Sequence, residues 1–480
     1  MKMRFVLLIA AALGFASAAS AAELNFQPLK WNGIYAVGEK AGWTVTPTPG
    51  VTATYSYRVF DSGAVEIGKG MIDPAKGPAE IAVTLDHPAM IYVTIDRIGA
   101  PKPGQPSLAE AAQINTTLKA VVAKKDPALK PILAKYPELC LLGEPCATPP
   151  TPAWLPPIQA HFAILGAAVA PTKFAPAAPR PADFDAFWAA KLAALAKVPT
   201  NPVLTEIPAP MPGVKFYKVK LDSLGSHVQG YLAVPTTKGP HPAMIQYQWA
   251  GVYALIPWNC ANRAAEGWLC LNVSSHDMPP DTAVGAPANY PEVGNTSRET
   301  SYFLNMYLRD TRALDWLRTR PDWNKKTLVI TGASMGGQQS LVTAGLNPGK
   351  VTAVIVNQPA GADSGAALSA RMVSYPNWAM TNPDVAKTAP YFDTANFTPK
   401  ITAPTVAAVG FIDSVCTPTS IFAAVNRIPA PHEVVVMAES EHGNYTPDKQ
   451  GSFMQRAEEI FAVILHGGTL VPDETVTKAK

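Results

Sequence analysis

The chain has 480 residues, 48% of them hydrophobic and 16% charged, which excludes a disordered chain and leaves room for about two or three domains. A net charge of +3, from 39 basic and 36 acidic residues with no basic stripe carrying interleaved aromatics, argues against a nucleic-acid partner. Beyond the N-terminal leader, no run reaches the roughly 18 uninterrupted apolar residues of a membrane span, and 48 prolines point to many ordered loops.

The first predicted element is a leader. Met1-Lys2-Met3-Arg4 precedes an apolar run over 5–16 and a small-residue site, Ala19-Ser20-Ala21. That layout predicts a signal peptide over 1–21 and a secreted or periplasmic protein. From there to about residue 99 apolar and polar residues alternate in short runs, and 43–46, 53–59, 79–85 and 90–95 read as strands. With a further strand over 161–169 they predict an all-β, immunoglobulin-like sandwich spanning 22–175. Residues 106–157 break the rhythm with helical patterns at 108–122 and 129–136 and a proline-rich stretch, so they read as an insertion before the last strand. Cys140 with Cys146, and Cys260 with Cys270, are the sequence-near candidates for disulfides in an oxidising compartment, with free thiols as the alternative.

A proline-rich linker over 170–181 ends this region, and a catalytic domain is predicted over 176–480. Strands are predicted at 215–220, 229–234, 243–248, 269–273, 328–331, 353–357, 405–411 and 433–438, and helices at 183–196, 301–319, 338–346 and 452–465. Strands alternating with helices predict an α/β fold, a mostly parallel sheet covered on both faces.

Thr327-Leu328-Val329-Ile330-Thr331 leads into Gly332-Ala333-Ser334-Met335-Gly336, a Gly-x-Ser-x-Gly sequence between a β-branched strand and a helix. Such a nucleophile elbow holds the serine in a strained turn, and glycines supply the space. A serine needs a base to take its proton and an acid to orient that base, both later in the chain in the order acid, then histidine. Asp413, after the strand 405–411, and His442, after 433–438, meet that order and sit past strand ends, where ligands meet such sheets. Asp363 is the runner-up acid, and His276 could line the site. An oxyanion needs preorganised N–H donors; Met335, following the serine, and Ala250, in the loop after 243–248, are the expected ones. Trp258, Tyr375 and Trp378 are candidate sugar-stacking residues, with core packing as the alternative for each.

Four separated motifs carry a resemblance: Pro181-Ala182-Asp183-Phe184-Asp185-Ala186-Phe187-Trp188, the elbow from Gly332 to Gln338, Tyr391-Phe392-Asp393-Thr394-Ala395-Asn396-Phe397, and Gly410-Phe411-Ile412-Asp413-Ser414-Val415-Cys416 with Phe422-Ala423-Ala424. In this order they resemble the acetyl xylan esterase and cephalosporin C deacetylase family, carbohydrate esterase family 7, from about Arg180 onward. The resemblance implies an α/β-hydrolase, a serine esterase with the triad Ser334, Asp413 and His442, no cofactor or metal, and removal of acetyl groups from O-acetylated sugars such as xylan or xylo-oligosaccharides. Two departures concern substrate preference: the family usually has Gly-Tyr at the oxyanion loop, where this chain reads Gln248-Trp249-Ala250-Gly251, and Gln after the nucleophile, where it has Met335. Hydrolysis of another acyl bond, including a peptide, and a non-catalytic polysaccharide-binding protein are the alternatives.

Overall fold

The structure, a computed structural model, describes residues 23–98, 161–443 and 445–474. The expected leader, the helical insertion and the Cys140–Cys146 pair lie outside them. No helix among the described residues is long and apolar enough to cross a membrane.

Eight strands come first: β1 Leu24–Pro28, β2 Ile34–Tyr35, β3 Lys40–Pro47, β4 Thr54–Asp61, β5 Val65–Ile72, β6 Ala79–Thr84, β7 Ala89–Ile98 and β8 Ala163–Val169. They form a three-stranded sheet, β1-β3-β6, and a five-stranded sheet, β2-β8-β7-β4-β5. Period-two alternation turns one face of each sheet inward. Leu24, Trp43, Val45 and Ile81 of the first sheet meet Tyr55, Val59, Val93 and Ile95 of the second in one core. The predicted runs at 43–46, 53–59, 79–85, 90–95 and 161–169 fall within or across β3, β4, β6, β7 and β8. The first, second and fifth strands were not anticipated, because they are either very short or largely exposed.

The remainder builds a nine-stranded sheet in the order β17-β16-β15-β14-β12-β13-β11-β10-β9. Its members are β9 Val203–Ile207, β10 Val214–Ser223, β11 Ser226–Pro235, β12 His241–Tyr247, β13 Leu269–Val273, β14 Trp323–Ala333, β15 Ala353–Asn357, β16 Thr405–Gly410 and β17 His432–Met437. The three pairings nearest the β9 edge are antiparallel and the five beyond are parallel. Helices α1 Phe184–Ala196, α2 Pro257–Glu266, α3 Tyr302–Thr319, α4 Met335–Leu346, α5 Pro383–Thr388, α6 Pro418–Val425 and α7 Pro447–Leu465 complete this α/β-hydrolase fold.

Strands β13, β15 and β16 are buried along their whole length because both sheet faces are covered. Ile330, Val354, Val356, Ala407 and Val409 pack in the core that holds Leu308, Leu314 and Leu317 of α3 and Leu341 of α4. Their neighbours Val329, Ile355, Val406 and Ala408 turn the other way, against Phe453, Ile460, Phe461 and Ile464 of α7. Cys260 and Cys270 are free buried thiols, so the candidate bridge between them is absent. The Cys260 thiol reaches the Cys270 carbonyl instead, at 2.8 Å.

The two-sheet region rests on the hydrolase beside β16. Ile34, Met90 and Ala168 join the main hydrolase core. A Cβ at Gly166 would lie 2.7 Å from Cβ of Phe411, so the sheet touches the turn that follows β16 with no room to spare. Met372 donates its N–H to the Ser62 carbonyl at 2.9 Å across the same seam.

Candidate active site

The parallel strands all end on one edge, and β14 lies inside the sheet between β15 and β12. Its last residue is Ala333, and α4 begins at Met335, so Ser334 alone makes the turn. It does so at φ 55°, a region costly for a residue with a side chain. Two close approaches explain the flanking glycines. A Cβ on Gly332 would meet the Gly336 carbonyl carbon at 2.4 Å, and one on Gly336 would meet the Tyr247 carbonyl oxygen at 2.4 Å. The strained turn is held from outside, by the Ser334 N–H donating to Asn357 O at 2.9 Å and by Ala360 N–H donating to Ser334 O at 3.0 Å.

The structure brings Ser334, Asp413 and His442 together. Ser334 Oγ stands 2.9 Å from His442 Nε2, and His442 Nδ1 stands 2.8 Å from Asp413 Oδ2. Because a carboxylate can only accept, Nδ1 carries a proton, and in the neutral ring Nε2 presents its lone pair to the serine hydroxyl. Burial opposes charge on His442, but the adjacent Asp413 carboxylate overrides it and holds the imidazole well above its usual range. Asp413 is itself 1% exposed and accepts three further hydrogen bonds, from Val415 N, Cys416 N and Gln358 Nε2 at 2.8, 2.8 and 2.9 Å. Four donors on one carboxylate hold it in a single orientation toward His442.

Gln358 carries a role not anticipated from the sequence. Donating to Asp413 fixes its amide, so its oxygen accepts from Gln450 Nε2 at 2.9 Å. Gln450 in turn accepts from Asn357 Nδ2 at 2.8 Å. The charge on Asp413 thereby orients three amides in series, from the end of β15 to the first turn of α7. Nothing periodic in the sequence marks Gln358; its place right after the strand 353–357 was the available signal. Cys416, whose place three residues past Asp413 puts it near the site, is fully buried; its Sγ lies 3.9 Å from both Ser334 Oγ and His442 Nε2, and burial pushes its thiol up.

The runner-up acid stands elsewhere. Asp363 accepts from Ala177 N–H at 2.7 Å and pairs with Arg371 at 3.0 Å, tying the linker to the loop after β15. Burial raises its carboxyl to about 6.

Met335 opens α4, and a helix's first N–H groups have no intrahelical partner. Ala250 is buried in the turn after β12, and Gly251 there has φ 117°. Both backbone groups of Gly251 are held: its N–H donates to the Tyr290 hydroxyl at 3.2 Å, and its carbonyl accepts from His276 Nε2 at 3.0 Å. Burial lowers His276 to about 4, so it is neutral, donating to Gly251 while Nδ1 accepts from the Tyr302 hydroxyl at 2.8 Å. The Tyr290 hydroxyl also reaches Met335 Sδ at 3.4 Å. One phenol therefore ties the Met335 side chain to Gly251, the residue after Ala250. His276 is fully buried and braces this turn from beneath.

Two of the three candidate stacking residues are corrected. Tyr375 is 3% exposed, and its hydroxyl lies 2.9 Å from that of Tyr290 and 3.3 Å from Met335 Sδ. Trp378 packs flat on Phe303 and donates to Pro291 O at 2.7 Å. Neither offers a ring face to a sugar, because each completes the core beneath the site. Trp258 is half exposed on α2. Another exposed aromatic, Trp249, stacks with Tyr253 and lines a cavity of about 180 Å³ that Gly332, Ala333, Gln246, Asn259 and Asn272 also line.

The family model described as acetyl xylan esterase (AXE1) matches residues 171–457, more than half of the chain. Acetyl esterase Axe7A of Xylanibacter ruminicola is 32% identical over 289 residues, which cover 57% of this chain and 66% of that protein, just under two thirds of its length. Acetyl xylan esterase 1 from Thermoanaerobacterium sp. JW/SL YS485 superposes with a TM-score of 0.53 at 20% identity, over 61% of this chain and 96% of that one. The acetyl xylan esterase from Paenibacillus sp. R4 superposes with the same TM-score at 22% identity, over 60% and 98%. At such identities these two structures speak for the fold alone.

Proposed function

Because the chain belongs to the acetyl xylan esterase family of carboxylic ester hydrolases, we propose that it removes acetyl groups from O-acetylated carbohydrates, with Ser334 as nucleophile, His442 as base and Asp413 as the acid that orients it. The observation that carries this reading is the relay from Ser334 Oγ through His442 to Asp413, with contacts of 2.9 and 2.8 Å.

In the first half-reaction His442 Nε2 takes the hydroxyl proton as Ser334 Oγ bonds to the acetyl carbonyl carbon. The negative charge moves to the carbonyl oxygen, where the N–H groups of Met335 and Ala250 stabilise it. The first turn of α4 adds the favourable end of its dipole. Collapse breaks the bond to the sugar oxygen, which leaves with the proton from His442. Water then repeats the sequence on the acetyl-serine and releases acetate. Asp413 remains a carboxylate throughout and stabilises the imidazolium of each step.

Acetylated xylan or xylo-oligosaccharide is the substrate class the family favours, and the Trp249–Tyr253 pair beside amide-bearing Asn259 and Asn272 suits a sugar. The leader of basic, apolar and small residues supports export, and the division at the linker over 170–181 supports a separate N-terminal unit. The test is acetate release from acetylated xylan and from a chromogenic acetate. The expected result is hydrolysis of both by the unaltered protein and a loss of about 10⁶ in kcat for Ser334→Ala. Turnover retained by that variant would defeat the assignment.

A further inference from the structure

No step of the proposed reaction uses Cys416, yet its sulfur is placed against the two reacting atoms. Sγ lies 3.9 Å from Ser334 Oγ and 3.9 Å from His442 Nε2, and those two atoms are 2.9 Å apart. Tetrahedral zinc, at about 2.3 Å from sulfur and about 2.0–2.2 Å from nitrogen or oxygen, sets sulfur roughly 3.6 Å from either lighter donor and those two roughly 3.4 Å apart. The triangle in the protein thus matches one face of a zinc tetrahedron to within about half an ångström, a difference that small side-chain rotations can absorb.

The donor types fit as well as the spacing. A thiol and an imidazole are the ligands that zinc and softer divalent ions select. Asp413 adds the outer support such sites use, since a carboxylate on Nδ1 fixes the ring and makes Nε2 a better donor. The Asp413 carboxylate, Cys416 Sγ and the His442 ring offer ligand atoms that all lie within 4.8 Å of one another.

We infer that Ser334 Oγ, His442 Nε2 and Cys416 Sγ form a site for a soft divalent cation, zinc in the first instance, whose occupancy switches hydrolysis off. On binding, the Cys416 sulfur bonds to the metal as its proton passes to water, and Nε2 commits its lone pair to the metal. No electron changes hands. The lone pair that would take the serine proton is no longer available. The inhibitory consequence rests on the proposed role of His442, whereas the binding itself does not.

The experiment uses the full chain, stripped with a chelator and titrated with cobalt(II), which reports a thiolate ligand by charge-transfer absorption in the near ultraviolet. The expected result is a saturable band that zinc displaces and that both Cys416→Ala and the near-isosteric Cys416→Ser lose; the serine variant serves where the alanine variant does not fold. In parallel, zinc should inhibit hydrolysis of a chromogenic acetate, reversibly by chelator, and each variant should need at least about tenfold more zinc for half-inhibition of its own activity. Absence of the band in the unaltered protein, or an equal band and equal zinc sensitivity in the variants, would overturn the inference. A protein that shows the band but hydrolyses no acetate would keep the metal site and discard the proposed esterase.

Discussion

At Asp413 four hydrogen bonds converge on one buried carboxylate, and each donor bears on how well His442 is aimed. Gln358→Leu removes one donor to a charged group, an interaction worth about 1.5–3 kcal/mol. If it is realised in the transition state, kcat should fall by roughly 10- to 100-fold while KM changes little, as steady-state kinetics would record. An unchanged kcat would mean that Gln358 packs without positioning. The upward displacement of His442 has a direct sign: the base works only when neutral, so activity is lost as pH falls through a pKa that lies above the ordinary value of about 6.5. The acidic limb of kcat/KM is therefore expected above about 6.5, and Gln358→Glu, by adding a like charge beside Asp413, should carry it higher. A limb well below that value would contradict the electrostatic account.

Among the elements, the strand-turn-helix of β14, Ser334 and α4 was the most legible, because β-branched residues and close-packed glycines leave a local mark. The predicted strand over 328–331 was too short, since β14 starts at Trp323, where charged residues hide the pattern. Helix α6, whose eight residues are all buried, has no polar face to reveal its period, and α2 is a ten-residue helix opened by a proline. Asp413 and His442 could be placed from strand ends alone. Cys416 could be placed near the site by its spacing of three residues from Asp413. Gln358, Tyr290 and Trp249 could not, since their roles arise from contacts between segments far apart in the chain. The elbow's tightness is itself testable: Gly336→Ala sets a methyl 2.4 Å from the Tyr247 carbonyl. It should cost about 1–3 kcal/mol, seen as a lower melting temperature together with reduced kcat. An unaltered melting curve would show that β12 and α4 can part without cost.

For the whole molecule, the N-terminal sheets pack against the turn that carries Asp413. Phe411, two residues before Asp413, is covered by Gly33 and Gly166. Gly166→Val should push Phe411 and its turn, lowering kcat on a small chromogenic acetate as well as on acetylated xylan. A targeting role alone would spare the small substrate, so equal loss on both separates a brace from a binding module. The central claim is that Ser334 carries the acetyl group between the two half-reactions, and the most direct measurement is peptide mass mapping after rapid acid quench of turnover with a chromogenic acetate. An acetyl mark on the peptide bearing Ser334, absent from Ser334→Ala, is the predicted result. A mark on Cys416 or elsewhere, or turnover under the same quench with Ser334 unmarked, would contradict it.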